Sequence, residues 1–308
     1  MLFPGQGAQS VGMLDGLAAD HPVIHDTLTQ ASEVLGYDVA DVITHGPADK
    51  LDQTAYTQPL MLAADVAVYQ AWRAAGGPAP AYVAGHSLGE YAALVAAGTL
   101  SFADALRVTS KRATAMTDAV AGVDIAMAAI IGLDDATVQK ACDRAAQATD
   151  AVVSPANYNA PLQVVIAGQA DAVTNASEQA RQLGARMVRP IAVSVPSHCA
   201  LMRPATGALE SALGAADMQP PSMWLLHNVD AQPRADTEAI KQALCDQLWQ
   251  PVHWVRCVEQ MRDAGVDVFL ECGPGRVLAG LNKRIDKSLT TVSLGEPGTF
   301  LQAVSEAA

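Results

Sequence analysis

A five-residue turn constrains this chain more than any other feature. Gly85-His-Ser-Leu-Gly89 stands between an apolar run, Ala81-Tyr-Val-Ala84, and a helix-favouring one, Glu90-Tyr-Ala-Ala-Leu-Val-Ala-Ala97, which Gly98 ends. The first suits a buried strand and the second a helix, so the turn has to reverse the chain sharply. A serine at such an apex is held out of the backbone with its hydroxyl exposed. Glycine two residues either side relieves the crowding, and the helix N-terminus offers backbone N–H groups to a developing oxyanion. Ser87 is therefore the candidate nucleophile. The pentapeptide by itself is modest evidence; the strand–turn–helix context gives it weight.

Strand-like runs alternate with helical ones along most of the chain, the pattern of a mostly parallel sheet covered by helices. After Gly122 the order changes. Residues 125–131 read as a strand and 134–146 as a helix opened by Asp134. Residues 152–157 and 163–167 read as strands around the turn signal Asn159-Ala-Pro161; 170–183 follow as a helix and 186–190 as a short strand. That order, βαββαβ within about 70 residues, is the split-βαβ signature of a ferredoxin-like unit. Alternation then resumes, with strand candidates at 223–227 and 266–272. The expected fold class is α/β: an α/β-hydrolase-like large subdomain with a short parallel sheet, formed by residues 1–122 and 192–308, carrying an inserted ferredoxin-like small subdomain at 123–191.

Composition sets the bounds. The 308 residues are 50% apolar and 17% charged, which fits a compact chain with a sizeable core. No charge-free apolar stretch reaches ~18 residues, so no membrane span is expected. The N-terminus lacks a basic segment followed by an apolar core, which argues against a secretory signal. Leu2-Phe3 runs straight into Pro4-Gly-Gln-Gly7, so a strand leading into that loop would lack its start. The five cysteines are odd in number and without metal-ligand spacing, as for reduced thiols of a cytoplasmic protein with no metal site. The net charge of −13 disfavours nucleic acid and anionic membrane as partners, and at long range any acidic partner. A monomer is expected.

A serine hydroxyl needs a base within hydrogen-bond reach. Among seven histidines, His86 sits inside the turn, where neighbouring side chains diverge. His21, His25 and His45 lie in polar helix-like or loop sequence and read as surface residues. His198 ends the run Ile191-Ala-Val-Ser-Val195-Pro-Ser197, a strand that stops at a proline and delivers its histidine into a loop. Loops at strand ends are where α/β folds carry catalytic groups. His227 also follows a strand, and His253 reads as structural, so on the residues alone His198 leads without excluding the others. Arg112 lies in a helix whose apolar positions Leu106, Ala113 and Met116 are roughly periodic, and that periodicity alone makes it a solvated charge. The loop Phe3-Pro-Gly-Gln-Gly-Ala-Gln9 is no dinucleotide fingerprint, because Ser10 stands where the third glycine belongs.

Together these segments resemble the malonyl-CoA:acyl-carrier-protein transacylases of bacterial fatty-acid synthesis. The matching strings are Phe3–Gln9, Gly85-His-Ser-Leu-Gly-Glu-Tyr91, Asn157-Tyr-Asn159 with Gln163-Val-Val-Ile-Ala-Gly168, Val195-Pro-Ser-His-Cys199, Gln247-Leu-Trp-Gln-Pro251 and Glu271-Cys-Gly-Pro-Gly275. They follow the family's order over nearly the whole length. The resemblance implies a two-step acyl transfer. Ser87 takes malonyl from malonyl-CoA, releasing CoA, and the phosphopantetheine thiol of acyl carrier protein then takes it from Ser87; no cofactor is bound. It implies His198 as base, a dyad without a carboxylate, and the backbone carbonyl of Gln247 orienting the imidazole. Backbone amides of Gln9 and Leu88 would form the oxyanion hole. Arg112 would hold the malonyl carboxylate, reversing its reading as a solvated charge, and Met116, Asn157 and Asn159 are candidate substrate contacts. An unpaired cation would penalise acetyl by on the order of 2–5 kcal/mol. The acidic, transiently docking carrier calls for a local basic patch, for which Arg276, Lys283, Arg284 and Lys287 are candidates, with Arg186, Arg189 and Lys111 as others. Alternatives with shared chemistry are the transacylase of a malonate decarboxylase or of a polyketide synthase, and more distantly a serine thioesterase.

Overall fold

A computed structural model describes residues 1–307. Its nine strands are β1 (Leu2–Phe3), β2 (Tyr82–Gly85), β3 (Ile125–Ile131), β4 (Val153–Ala160), β5 (Gln163–Gln169), β6 (Met187–Ile191), β7 (Trp224–Leu226), β8 (Val268–Glu271) and β9 (Thr290–Ser293). Five of them form a sheet in the order β7-β2-β1-β8-β9, parallel throughout. The strands are short and both faces are covered, so neighbouring residues serve opposite helical layers. Leu2, Ala84, Leu226 and Phe269 pack with Trp254, Val258 and Met261 on one face. Phe3, Val83 and Leu225 pack on the other with the buried helix Thr54–Ala74 and the helices Gly89–Ala96 and Phe102–Asp118.

The second sheet, β4-β5-β3-β6, is antiparallel throughout and comes from one continuous stretch of chain. Here the alternation of period two is clean. Ala128, Ile130, Val164 and Ile166 bury themselves under the helices Asp135–Thr149 and Ala170–Gln182. Met127, Val165 and Ala167 face the other way, against Cys199. The elements expected after Gly122 occur in the expected order, with one difference. β4 continues to Ala160, with register irregularities at Pro155/Asn157 and Tyr158/Ala160, and the chain turns at Leu162, where φ is +62°. Asn157 and Asn159 therefore sit on a strand, two residues apart on the same face. β9 escaped the reading because four residues, Thr-Thr-Val-Ser, carry too little pattern.

One segment ties the sheets together. Tyr158 N–H donates to Val252 O at 2.9 Å, Val252 N–H donates to Ala156 O at 2.9 Å, and the Tyr158 ring stacks on His253 at 5.1 Å. His253 is thus part of the join. No described helix is long and apolar enough to cross a membrane.

Candidate active site

The turn at Ser87 is built by contact between backbones. A Cβ on Gly85 would lie 1.9 Å from Gly89 C, and one on Gly89 would lie 2.1 Å from Phe3 O. No side chain fits in either gap, so only glycine lets the helix Gly89–Ala96 start directly over β1 and β2. Ser87 takes the left-handed conformation with φ +52°, uncommon for a residue with a Cβ and held here by its surroundings. Asn228 supplies the clamp: its Oδ1 accepts Ser87 N–H at 2.7 Å and its Nδ2 donates to Gly85 O at 2.7 Å. The Leu88 amide, next in the chain, has no acceptor among the described residues.

His198 reaches Ser87 from the loop after β6. Its Nε2 lies 2.7 Å from Ser87 Oγ, and its Nδ1 donates to Gln247 O at 2.6 Å. That carbonyl belongs to the last turn of the helix Thr237–Gln247, where helical carbonyls lack partners of their own. The bond leaves Nε2 as the lone-pair nitrogen facing the hydroxyl. His198 has φ +65° and is 2% exposed. Burial and then the charge of Arg112 push its pKa down to about 3, so the ring is neutral and able to accept a proton.

Arg112 is 1% exposed, which corrects its reading as a solvated charge. It shares the buried stripe of its helix with Ala105, Thr109 and Met116, at spacings of three, four and seven. Nη1 donates to Gln58 Oε1 at 2.6 Å and Nη2 to Gln247 Oε1 at 3.0 Å, while Nη2 lies 3.5 Å from Ser87 Oγ. It makes no ion pair among the described residues. A buried guanidinium beside the reactive hydroxyl, held by neutral oxygens and over the Tyr91 ring at 5.6 Å, is arranged to receive an anion.

These groups border a cavity of about 240 Å³. Gln58, Asn157, Asn159 and Gln163 give it polar walls; Met127, Val165, Ile191, Val193 and Leu281 give it apolar ones. Asn159 Oδ1 accepts from His86 Nε2 at 2.7 Å, which turns His86 away from Ser87. Two larger hollows, of about 660 and 680 Å³, border the opposite, N-terminal ends of the same parallel strands and carry no serine–histidine pair. The chemistry gathers at the C-terminal ends, as in other open α/β sheets.

Two expectations are corrected. Gln9 does not line the cavity: its Oε1 accepts Gly7 N–H at 2.6 Å and its Nε2 donates to Asp52 at 2.9 Å. The loop turns away at Gly7 (φ +107°), so Gln6 is the glutamine that lines the cavity beside Ser87. Met116 is fully buried behind Gln58, whose Nε2 donates to its Sδ at 3.4 Å, and does not reach the cavity wall.

Three residues escaped the sequence reading, Gln58, Asn228 and Glu90, and His227, weighed there as a base, instead packs against Glu90. Glu90 is fully buried beneath the turn, where it accepts from His227 Nδ1 at 2.7 Å, Asn228 N–H at 3.1 Å and Gln247 Nε2 at 2.8 Å. The usable signal for Asn228 was its position, beside His227, just past the end of an apolar strand.

The acyl transferase domain family model matches residues 1–294. The malonyl CoA-acyl carrier protein transacylase of Escherichia coli K12 is 48% identical over 98% of this chain and 97% of its own length. The structure of the malonyl CoA-acyl carrier protein transacylase from Coxiella burnetii matches with a TM-score of 0.97 at 44% identity, over 100% of this chain and 96% of that one. A type II PKS acyl-carrier protein in complex with its malonyl-transacylase also matches, with a TM-score of 0.97 at 44% identity, over 99% and 98%. Full-length similarity at this level leaves one conclusion: the chain belongs to the acyl transferase domain family and, within it, to the malonyl-CoA:acyl-carrier-protein transacylases.

Proposed function

We propose that this chain moves a malonyl group from malonyl-CoA to the phosphopantetheine thiol of holo acyl carrier protein through a malonyl-serine intermediate, supplying fatty-acid chain elongation. The observation that carries the mechanism is the Ser87–His198–Gln247 line, with hydrogen bonds of 2.7 and 2.6 Å. Ser87 Oγ attacks the thioester carbonyl as its proton passes to His198 Nε2. The amides of Leu88 and Gln6 receive the oxyanion, Gln6 replacing Gln9 in that role because it lines the cavity. When the intermediate collapses, the carbon–sulfur bond breaks and CoA leaves with the proton from His198. In the second half the carrier thiol gives its proton to His198 and attacks the malonyl ester, and Ser87 regains its proton. Arg112 holds the malonyl carboxylate throughout, and Asn157 and Asn159 line the donor's path.

The finer architecture follows the same reading. Residues 123–191, with their 4-1-3-2 antiparallel strand order, form a ferredoxin-like subdomain inserted into an α/β-hydrolase-like one made of residues 1–122 and 192–308. The enzyme works as a cytoplasmic monomer. Its carrier docks on the helix Val277–Ile285, which borders the cavity through Val277, Leu278 and Leu281 and exposes Lys283 and Arg284 near its end. Arg276 and Lys287 extend this basic rim against an otherwise acidic surface.

Mass spectrometry after mixing with malonyl-CoA tests the reading. A malonyl adduct on Ser87 that holo carrier discharges is expected, and Ser87→Ala abolishes it. An adduct lost rapidly without carrier points to thioester hydrolysis instead.

A further inference from the structure

Beneath the reactive serine a cation and an anion are held one side chain apart. Arg112 Nη2 donates to Gln247 Oε1 at 3.0 Å, and Gln247 Nε2 donates to Glu90 Oε2 at 2.8 Å. The direction of the carboxamide is dictated by chemistry: a guanidinium can only donate and a carboxylate only accept, so the oxygen faces Arg112 and the nitrogen faces Glu90. Gln247 Nε2 also donates to Ser87 O at 3.0 Å, which fixes the amide to the turn itself. On the far side Glu90 is engaged by His227 and Asn228, and Arg112, Glu90, Gln247 and His227 are all at most 1% exposed. Buried opposite charges attract strongly and would collapse into a direct pair if nothing stood between them.

We propose that the Gln247 side chain is a spacer. It keeps Arg112 from pairing with Glu90 and so leaves the guanidinium free for the substrate's carboxylate. The proposal rests on Arg112 as the malonyl-carboxylate residue and adds Gln247 and Glu90 as positioning residues that set donor selectivity. Glu90 stays near enough to favour the cation in its buried site, yet its oxygens are committed elsewhere. Three features support a spacer over simple packing. Two neutral oxygens, on Gln58 and Gln247, satisfy Arg112 while five N–H groups are available on a guanidinium, so donors remain for a carboxylate. The Arg112 Nε has no partner among the described residues. The Gln247 backbone performs a separate task, holding His198, so the side chain can be changed with that carbonyl in place.

The test compares transfer from malonyl-CoA and from acetyl-CoA to holo carrier. In Gln247→Leu the carboxamide is gone, Arg112 closes on Glu90, and the ratio of kcat/KM for malonyl-CoA over acetyl-CoA falls about tenfold or more. Adding Glu90→Gln removes the competing carboxylate and restores most of that ratio, whereas two merely structural defects would compound. Equal losses with both donors, or a double variant no more selective than the single one, overturn the spacer. Should Gln247→Leu fail to fold, the near-isosteric Glu90→Gln decides alone. It removes the negative charge that competes for Arg112 from behind Gln247, so KM for malonyl-CoA drops several-fold while KM for acetyl-CoA stays; an unchanged or higher malonyl-CoA KM overturns the proposal. Malonyl transfer by the unaltered enzyme is the separate check on the underlying reading: if that is absent the functional assignment fails, and if it is present only the spacer is at stake.

Discussion

A histidine that stays neutral in an acidic solution is the residue-scale signature of this site. His198 holds its proton poorly because water is excluded from it and Arg112 stands nearby, and its pKa is brought to about 3. The active form is the neutral ring, so the acid limb of kcat/KM against pH is expected well below the ordinary histidine value of about 6.5. An acid limb at pH 6 to 7 would contradict this. Replacing Arg112 with Gln removes the second largest of the causes and should move the limb upward. The same shift affects stability with a definite sign. Between pH 6.5 and 3 the unfolded chain binds a proton at this residue and the folded one does not, so stability is lost as pH falls through that window. At pH 5 the loss relative to neutral pH is about 2 kcal/mol for this group. Urea unfolding of His198→Gln at both pH values should show a smaller decline than the parent.

At the scale of elements, the strand–turn–helix at 82–96 has no slack. Gly89→Ala would press a methyl group onto Phe3 O, which is backbone and cannot swing aside. Destabilisation of about 3 kcal/mol or more is expected, with loss of activity. Gly207→Ala is the counterpart: nothing lies within 4 Å of its Cβ position in the helix Thr206–Ala215, and it should gain about 0.5–1 kcal/mol. Thermal unfolding of both variants checks the contrast. The elements that could be read in advance were those with a strong period or sharp punctuation. The unbroken apolar runs at 125–131 and 164–167, the Asp134 cap and the Gly85–Gly89 turn all act locally. Arg112 misled because the spacing was read from its apolar neighbours without Ala105 and Thr109, which place it on the buried stripe. The cavity-lining glutamine was misjudged for a different reason. An amide N–H belongs to the backbone and leaves no trace in the side chain, so Gln6 and Gln9 look alike until the turn at Gly7 separates them. Gln58 meets Arg112, and Glu90 meets Asn228, only through folding from far-separated segments, and no spacing announces them.

On the scale of the whole molecule, a net charge of −13 makes docking of an acidic carrier depend on a local exception. Lys283→Glu/Arg284→Glu should raise KM for holo carrier about tenfold or more, most strongly at low salt. Unaltered carrier kinetics would locate the docking face elsewhere. The three stretches of chain also divide their labour. Residues before 123 bring Ser87 and Arg112, residues after 191 bring His198 and Gln247, and the stretch between brings cavity walls without a charged group. The unopposed guanidinium then has an effect beyond grip. In the resting enzyme its field lowers the imidazole's appetite for a proton. Under the proposed function a docked carboxylate would cancel that field and so sharpen the very ring that must strip Ser87. Acetyl, bringing no acid group, would then be handicapped twice, first at the door and again at the proton.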